Sequence, residues 1–424
     1  MNRIILVGNG FDLAHGLATR YEDFINWYWD EWGSYLAGYG KDYITDELCS
    51  FKLKDEVGLA CWYMVWGWHY KIYAKDYSMR GLVDIAKADT KVCDFQEHSK
   101  FFSEICKSIE NKGWVDIESE YYKLLNSEGI NPENLNREFD IVRNKLIDYL
   151  SSIQSLKINA SITINDIREC IMAPFSAKEI AIEAKNKWTE FVKRRIYDED
   201  LIDNIQLYKH SDARDRVKKV HNFIKSWQDQ IYNMGVESIP EDSLPSDMLY
   251  PDRIMLLNFN YTNTADMYMP EDSYHFPINH IHGALNNPNS VIFGYGDEMD
   301  EKYKEISKLN NNNLLTNIKS IRYLEGVNYR NVLTFIESAP YQIYIMGHSC
   351  GTSDRTLLNT LFEHRNCVSI KPYYFQKDNE EDNYMEIVQN ISRTFSDAQK
   401  MRDRVVNKQF CQPLPQSQPS GEKQ

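Results

Sequence analysis

The chain has 424 residues, 42% of them hydrophobic, and a formal net charge of −14. That length buries a large core, either as one elaborated domain or as a domain carrying a big insertion. The acidic balance argues against an extended nucleic-acid surface, which needs a dense positive field; Lys193-Arg194-Arg195 and Lys218-Lys219 read as solvated helix faces, with a local basic groove as the alternative. Eight cysteines without a C-x-x-C pair indicate neither a zinc site nor a disulfide framework. The first apolar run is broken by Gly8 and Asn9, which argues against a signal peptide. The densest apolar stretch, Cys61 to Tyr70, contains Gly67 and His69 and reaches only about half a membrane span. The expected location is the cytoplasm, with no membrane partner.

In chain order, Ile4-Ile5-Leu6-Val7 is a short buried strand, and Gly8-Asn9-Gly10 turns the backbone sharply out of it. An amphipathic segment with Leu13, Leu17, Tyr21, Phe24 and Ile25 follows. Strand, glycine turn and helix in that order form a nucleotide-binding turn. Glycines let backbone N–H groups approach a phosphate, and the helix N-terminus adds its positive dipole end. The fingerprint is incomplete, because Leu13 stands at the third glycine position. The stretch about 20 residues on, where an acidic residue should end a second strand, is rich in Trp and Tyr instead. The turn therefore reads equally as a ligand loop and as a tight structural connection.

Residues 20–235 read as helices, including Phe95–Ile109, Ile117–Leu125, Leu135–Leu156 and Ala177–Arg195. From 250 onward strand patterns return: Ile254–Phe259, Asn279–His282, Val291–Phe293, Gln342–Met346, Cys367–Ile370 and Tyr373–Phe375. A helix over Thr352–Glu363 precedes the last two. Lys377–Asp382 is a charged loop and Tyr384–Thr394 a terminal helix. The Gln/Pro/Ser-rich segment 407–424 is expected to be disordered. The fold class is α/β: a parallel sheet drawn from 1–25 and 250–400 and interrupted by a large helical insertion over 26–249.

Four polar clusters fall where parallel strands would end, the edge at which open α/β sheets bind ligands. They are Gly8-Asn9-Gly10-Phe11-Asp12, Asn258-Phe259-Asn260-Tyr261-Thr262, His280-Ile281-His282-Gly283, and Gly347-His348-Ser349-Cys350-Gly351 with Thr352, Ser353 and Asp354 opening a helix. An amide positions a ribose or a water, an imidazole takes a proton, and two glycine turns hold phosphates. That set suits N-glycosidic chemistry on a dinucleotide.

Each cluster also has a plainer use. Asn258 and Asn260, on one strand face by alternation, suit turn capping, and Asp354 suits a helix N-cap. His282 suits a buried structural role. His280 and His282 share a strand face, but no carboxylate or cysteine lies at ligand spacing, so no metal is expected. Asp116 and Glu118 are either first-turn residues that complement a helix dipole or groups reaching into the pocket from the insertion. Gly347 to Gly351 also fits the G-x-S-x-G elbow of α/β-hydrolases. The downstream pair it would need, Asp354 and His364, lies on or beside the next helix, so the hydrolase triad fails on geometry. The aromatic stretches Trp27–Trp32 and Cys61–Tyr70 offer a surface for a homo-oligomer, with core packing as the alternative.

Gly8-Asn9-Gly10-Phe11-Asp12-Leu13, followed by His15-Gly16-Leu17, Thr19, Tyr21 and Phe24, resembles the opening of AbiH-type bacteriophage abortive-infection proteins. Trp114-Val115-Asp116-Ile117-Glu118, Leu257 to Thr264, His280 to Gly283, Phe293-Gly294-Tyr295-Gly296 and Gly347 to Asp354 resemble that family's further blocks in the same order. The resemblance implies a bacterial defence protein that limits phage spread by sacrificing the infected cell, with a phage-encoded or host trigger.

A more distant resemblance, to sirtuins and sirtuin-like NAD-degrading domains, supplies a chemistry. Gly8-Asn9-Gly10 is similar to their Gly-Ala-Gly loop, Asn260 to their strand-end asparagine, His282-Gly283 to their catalytic His-Gly, and Gly347 to Ser349 to their Gly-Thr-Ser loop. Thr262 stands where those proteins have an acid, and the zinc-ribbon cysteines are absent, so deacetylation is not implied. The resemblance implies a sirtuin-like Rossmann domain that binds NAD or a related nucleotide and cleaves its nicotinamide–ribose bond. Asn260 would orient the attacking group and His282 would act as base. Gly8, Asn9, Gly10, Phe11, Asp12, Asn258, Thr262, Gly294, Gly347, His348, Ser349 and Asp354 would line the nucleotide site. The competing expectations are a non-catalytic nucleotide sensor acting through a partner, and a nuclease or RNA-modifying toxin using Asp12, Asp116 and Glu118 around Mg²⁺.

Overall fold

The computed structural model of the chain describes residues 1–36, 43–53, 93–112, 116–154, 161–197, 213–268, 270, 272–377 and 381–417; Cys61–Tyr70, Trp114 and Val115 lie outside them. Its strands are β1 (Asn2–Val7), β2 (Tyr43–Thr45), β3 (Cys49–Leu53), β4 (Cys93–Glu97), β5 (Ile254–Asn258), β6 (Ile278–His280), β7 (Tyr341–Met346) and β8 (Cys367–Tyr373). Its α-helices are α1 (Asn9–Ala14), α2 (Tyr21–Leu36), α3 (Lys100–Lys112), α4 (Ile117–Leu125), α5 (Pro132–Gln154), α6 (Ser161–Ile171), α7 (Lys185–Ile196), α8 (Ala213–Met234), α9 (Glu301–Ile306), α10 (Lys319–Arg322), α11 (Asn328–Ser338), α12 (Arg355–Phe362), α13 (Tyr384–Thr394) and α14 (Ala398–Arg404). No helix among the described residues is long and apolar enough to cross a membrane.

Five strands form one parallel sheet in the order β6-β5-β1-β7-β8. The chain adds β5 and β6 on one side of β1, then returns to add β7 and β8 on the other. The winding therefore reverses between β1 and β7, the place where open α/β sheets leave a ligand crevice. Every residue of β1, β5, β7 and β8 is buried, as expected of parallel strands covered on both faces. Ile4, Leu6, Leu257, Ile343 and Ile345 pack under α11 and α12, whereas Ile5, Val7, Leu256, Tyr344 and Met346 pack under α1 and α6. Arg3, fully buried on β1, has its guanidinium 4.1 Å from the Tyr344 ring centroid and 4.9 Å from that of Phe175, and it donates to the Ile171 carbonyl. It ties the end of α6 to the sheet.

The intervening segment builds two separate cores. Residues of α2 to α5, with Phe24, Trp29, Trp32, Phe101, Tyr121 and Phe139, share one core with Val291, Phe293 and Tyr295 beyond β6. That places this half against the carboxyl edge of the sheet. Trp188, Phe191, Val217 and Val220 of α7 and α8 pack instead with Met1 and Val368, at the start of β1 and β8.

Several elements differ from the sequence reading. A three-stranded antiparallel sheet, β2-β3-β4, lies within the stretch read as helical. The helix expected from Phe95 starts at Lys100, because Cys93–Glu97 pairs with β3 and sets Phe95 opposite Phe51. The first amphipathic segment is two helices, parted where Gly16 takes φ +80°. Val291–Phe293 forms no strand; Ile292 donates one backbone hydrogen bond to His282. Residues 407–417, expected to be disordered, are packed. Leu414 is buried against the α1/α6 face, its N–H donates to Tyr374, and Ser417 donates to Ala14. Backbone pairing to the end of β8 supplies what the polar composition does not.

Candidate functional site

β1 and β7 deliver their glycine turns to the point where the winding reverses, and the two turns lock together. Gly10 N–H donates to the Gly347 carbonyl at 2.8 Å, Gly8 N–H to Met346 at 3.2 Å, and Phe11 N–H to Gly8 at 2.8 Å. A Cβ at Gly8 would lie 2.5 Å from His348 Cα, and one at Gly347, where φ is +76°, would lie 2.1 Å from Phe11 N. Glycine is therefore required because two backbones touch. The amides of Gly8, Gly10 and Phe11 are spent inside the protein, which corrects the expectation that the Gly10 amide faces a phosphate. Asn9 is exposed but its Oδ1 accepts from Thr19 Oγ1.

The end of β5 braces this junction. Asn258 Nδ2 donates to the Thr262 carbonyl at 3.0 Å, and its Oδ1 accepts from Asn260 N at 3.0 Å. Asn260 Nδ2 donates to the Gly8 carbonyl at 3.0 Å. The alternation of Asn258 and Asn260 on one strand face does not hold, because β5 ends at Asn258 and the chain turns. Thr262 Oγ1 donates to Asp12 Oδ2 at 2.6 Å, so Asp12 brings a carboxylate beside the position that lacks one in sequence. Asp12 Oδ1 is buried without a hydrogen-bond partner. Burial pushes the Asp12 carboxyl up to about 6, against the pull of hydrogen bonds from Thr262, Thr264 and Asn260.

Beyond β6 and β7 lies a buried charge cluster. Lys319 Nζ, at the start of α10, is 2.7 Å from Glu118 Oε2 and 2.8 Å from Asp354 Oδ1. Gly294 N–H donates to the other Glu118 oxygen at 3.2 Å. His282 Nε2 lies 3.3 Å from Asp354 Oδ1 and 3.1 Å from the Tyr323 hydroxyl, while His282 Nδ1 lies 3.2 Å from the Phe259 carbonyl. A carbonyl only accepts, so the hydrogen bonds assign the ring proton to Nδ1, and the Nε2 lone pair accepts from Tyr323. His348 is oriented the other way. Its Nδ1 accepts from Cys350 N–H at 2.9 Å, which directs Nε2–H toward Asp354 Oδ2 at 3.6 Å. Phe259 links the two rings, edge-on to each at 5.2 and 4.2 Å.

Burial first, and the Lys319 ammonium second, hold His282 below its usual range, with Asp354 opposing them. Burial pushes Asp354 up, but the Lys319 ammonium outweighs it and keeps Asp354 ionised well below the carboxylate range. Burial lifts Glu118 to about 7 even with Lys319 beside it. Burial, then the nearby carboxylates, keep the Tyr21 and Tyr323 hydroxyls protonated; Tyr261 is likewise raised. The cluster thus pairs a neutral imidazole with an ionised acid, an arrangement suited to taking a proton from a water or a hydroxyl.

Of the residues read from sequence, the structure brings His282, His348, Asp354 and Gly294 to this cluster, and joins Gly8, Gly10, Gly347 and Asn260 beside it. Asp354 makes no capping hydrogen bond with its side chain. His280 and His282 do not share a face, because β6 ends at His280, whose ring turns to Asn258 and Asp266. Ser349 is exposed and is held by its carbonyl, which accepts from Asn390. His364 stacks on Tyr341 at the opposite end of β7, remote from any elbow. Asp116 caps α4 through Ser119 N at 3.1 Å, while Glu118, two residues on, is the acid that enters the cluster. With Asp12 on Thr262, the three acids expected around Mg²⁺ are engaged separately. Among the described residues no group of three His, Cys, Asp or Glu is placed to hold a metal ion. Lys319 and Tyr323 were not legible as site residues; a lone lysine between Ile318 and Ile321 is the one local hint.

A family model described as bacteriophage abortive infection AbiH matches residues 4–376. Comparisons with curated proteins and with solved structures gave no match. The matched span takes in the parallel sheet from Ile4 onward and every member of the charge cluster, and by that match the chain belongs to the AbiH family of bacteriophage abortive-infection proteins.

Proposed function

We propose that this member of a phage-defence family binds NAD or a related nucleotide at the carboxyl edge of its parallel sheet and hydrolyses the nicotinamide–ribose bond. The observation that supports this reading is the Nε2 lone pair of neutral His282, backed at 3.3 Å by ionised Asp354 just past the ends of β6 and β7. The sirtuin-like order of the glycine turn, Asn260, His282-Gly283 and the second glycine turn supplies the substrate class.

In this mechanism a water takes the place of the Tyr323 hydroxyl at His282 Nε2, and Nε2 takes its proton as the water oxygen bonds to ribose C1′. The C1′–N bond breaks, and nicotinamide leaves with the electron pair as a neutral molecule. Asp354 Oδ1, 3.3 Å from that same Nε2, accepts from the imidazolium that forms and stabilises its charge. The Asp354 carboxylate also favours the positive charge that develops at C1′. Asn260 keeps the glycine junction in register through its hydrogen bond to Gly8. Positioning and one base are sufficient for this step.

The engaged amides of Gly8 and Gly10 favour one second reading, a sensor that binds the nucleotide without cleaving it. Cellular NAD followed through phage infection separates the two. Loss of NAD with wild type, and its preservation with His282→Asn, is the expected result. Unchanged NAD with intact protection, or intact nucleotide recovered from the purified protein after long incubation, overturns hydrolysis.

A further inference from the structure

Tyr323 carries an inference that rests on the reading of His282 as the base and adds how that base is held at rest. The Nε2 lone pair of neutral His282 accepts one hydrogen bond, and the Tyr323 hydroxyl donates it at 3.1 Å. The same atom must take a proton from water, so the hydroxyl stands where the water has to be. Both side chains are buried. Their rings lie within 8° of parallel, Tyr329 lies within 6° of parallel to Tyr323 at 5.4 Å, and Phe259 meets His282 edge-on. Burial, then the carboxylates of Asp354 and Glu118, keep the Tyr323 hydroxyl protonated, so it stays a donor to Nε2. A hydrogen bond to the neutral ring also disfavours the imidazolium, which weakens the base as well as covering it.

The segment that delivers Tyr323 is fastened at its two ends. At its start, Lys319 is ion-paired to Glu118 and Asp354, and its N–H donates to the Tyr295 carbonyl at 2.9 Å. At its end, Asn328 Nδ2 donates to the His280 carbonyl at 2.6 Å, and the Asn328 carbonyl accepts from Asn279 Nδ2 at 2.8 Å. Between these anchors, residues 320–327 bond to neighbouring turns and to one another. The one hydrogen bond they make beyond that, among the described residues, is from the Tyr323 hydroxyl to His282. Tyr323 is also their one buried residue. Ile321, Leu324 and Val327 are already 39%, 81% and 66% exposed, so an outward swing takes a single large side chain from the core. Segments with so few buried contacts are the ones that open locally. We infer that residues 320–327 form an inhibitory strap, which holds the Tyr323 hydroxyl on His282 Nε2 and keeps water from the base until the strap is lifted. Lifting it frees Nε2 for the water, and Asp354 Oδ1, 3.3 Å away, then supports the imidazolium.

The test uses uninfected cells expressing the full chain, in which wild type leaves NAD and growth unchanged. Tyr323→Ala vacates the place at Nε2. With an open state populated at about 0.1–10% in wild type, the variant raises NAD turnover by about 10-fold to 10³-fold and arrests growth. A Tyr323→Ala/His282→Asn double variant does neither, which separates release of the base from misfolding. Tyr323→Phe keeps the ring and removes the donor; it raises turnover in the same direction and decides the matter if Tyr323→Ala is insoluble. In the purified protein, diethyl pyrocarbonate labels His282 about 10-fold or more faster in the soluble variant than in wild type, while exposed His221 reacts equally in both. NAD loss in uninfected wild type, unchanged or lowered turnover in a soluble Tyr323 variant, or equal labelling of His282 overturns the inference. It falls alone where phage-challenged wild type still loses NAD. Growth arrest with NAD intact, reversed by His282→Asn, supports the strap and sinks the NAD reading.

Discussion

Lys319→Met is the sharpest perturbation of the cluster, since it removes the ammonium between Glu118 and Asp354 while keeping the unbranched chain. Breaking a buried pair from one side costs about 3–5 kcal/mol, and two orphaned acids place this variant at the upper end. The cost depends on pH, and the two acids act with opposite sign. Asp354 is depressed when folded, so its contribution is present above its unfolded value and lost as pH falls through the folded one. Glu118 is raised from 4.5 to about 7. The folded state therefore holds that proton more tightly, and stability declines as pH rises from 4.5 to 7, by about 3 kcal/mol in all. Without Lys319 both acids rise further. The deficit of the variant is then largest at about pH 8 and shrinks toward about pH 5, as both acids take protons and His282 charges beside Asp354. Urea unfolding of both proteins across that range measures it, and a Glu118→Met/Lys319→Met double variant should recover part of the loss. A deficit under about 1 kcal/mol, or one that does not change with pH, would refute the charge count.

Three further outcomes follow from single contacts. Gly347→Ala sets a Cβ 2.1 Å from Phe11 N at a residue with φ +76°; it should abolish soluble expression, and a normally folded variant would show that the two glycine turns are not locked. Asp12→Asn should flatten the pH profile of stability. Burial raises Asp12 from 3.8 to about 6, so wild type loses about 3 kcal/mol as pH rises through that window, and parallel melting curves at low and neutral pH would contradict this. Leu414→Ala should cost about 2–3 kcal/mol, as for a well-packed leucine, whereas a disordered tail predicts no change in the unfolding midpoint.

What was legible in the sequence follows from how local each feature is. Branched apolar runs at Ile4–Val7, Ile254–Leu257 and Ile343–Ile345 are the mark of parallel strands buried on both faces, and each became one. The Ile117–Leu125 helix was legible because its cap and its apolar spacing are both local. The small sheet β2-β3-β4 was not, because Phe95 pairs with Phe51 across an intervening stretch of the chain. Glycine positions were legible and their purpose was not: a glycine that admits a phosphate and one that admits another backbone look alike in sequence. Asp116 and Glu118 make the same point, since both suit a first helical turn. What separates them is Lys319, 201 residues further on.

That long-range pair also connects the helical half around α4 to His282, the base of the proposed reaction. Glu118, Lys319, Asp354 and His282 form one chain of contacts, so α4 cannot shift without changing the charge beside His282. Withdrawing Glu118 leaves the ammonium to Asp354 alone. Asp354, more fully neutralised, then favours the imidazolium less, and His282 becomes a weaker base. Tyr122→Ala tests this without touching the cluster, because Tyr122 anchors α4 by stacking on Tyr295 at 3.9 Å and by donating to Asp300 at 2.8 Å. Losing both contacts costs α4 about 2–4 kcal/mol of docking. Nucleotide turnover by the variant should be slower, with its acid limb displaced to lower pH. A slower enzyme whose acid limb stays in place would mean that α4 supports the site by packing alone.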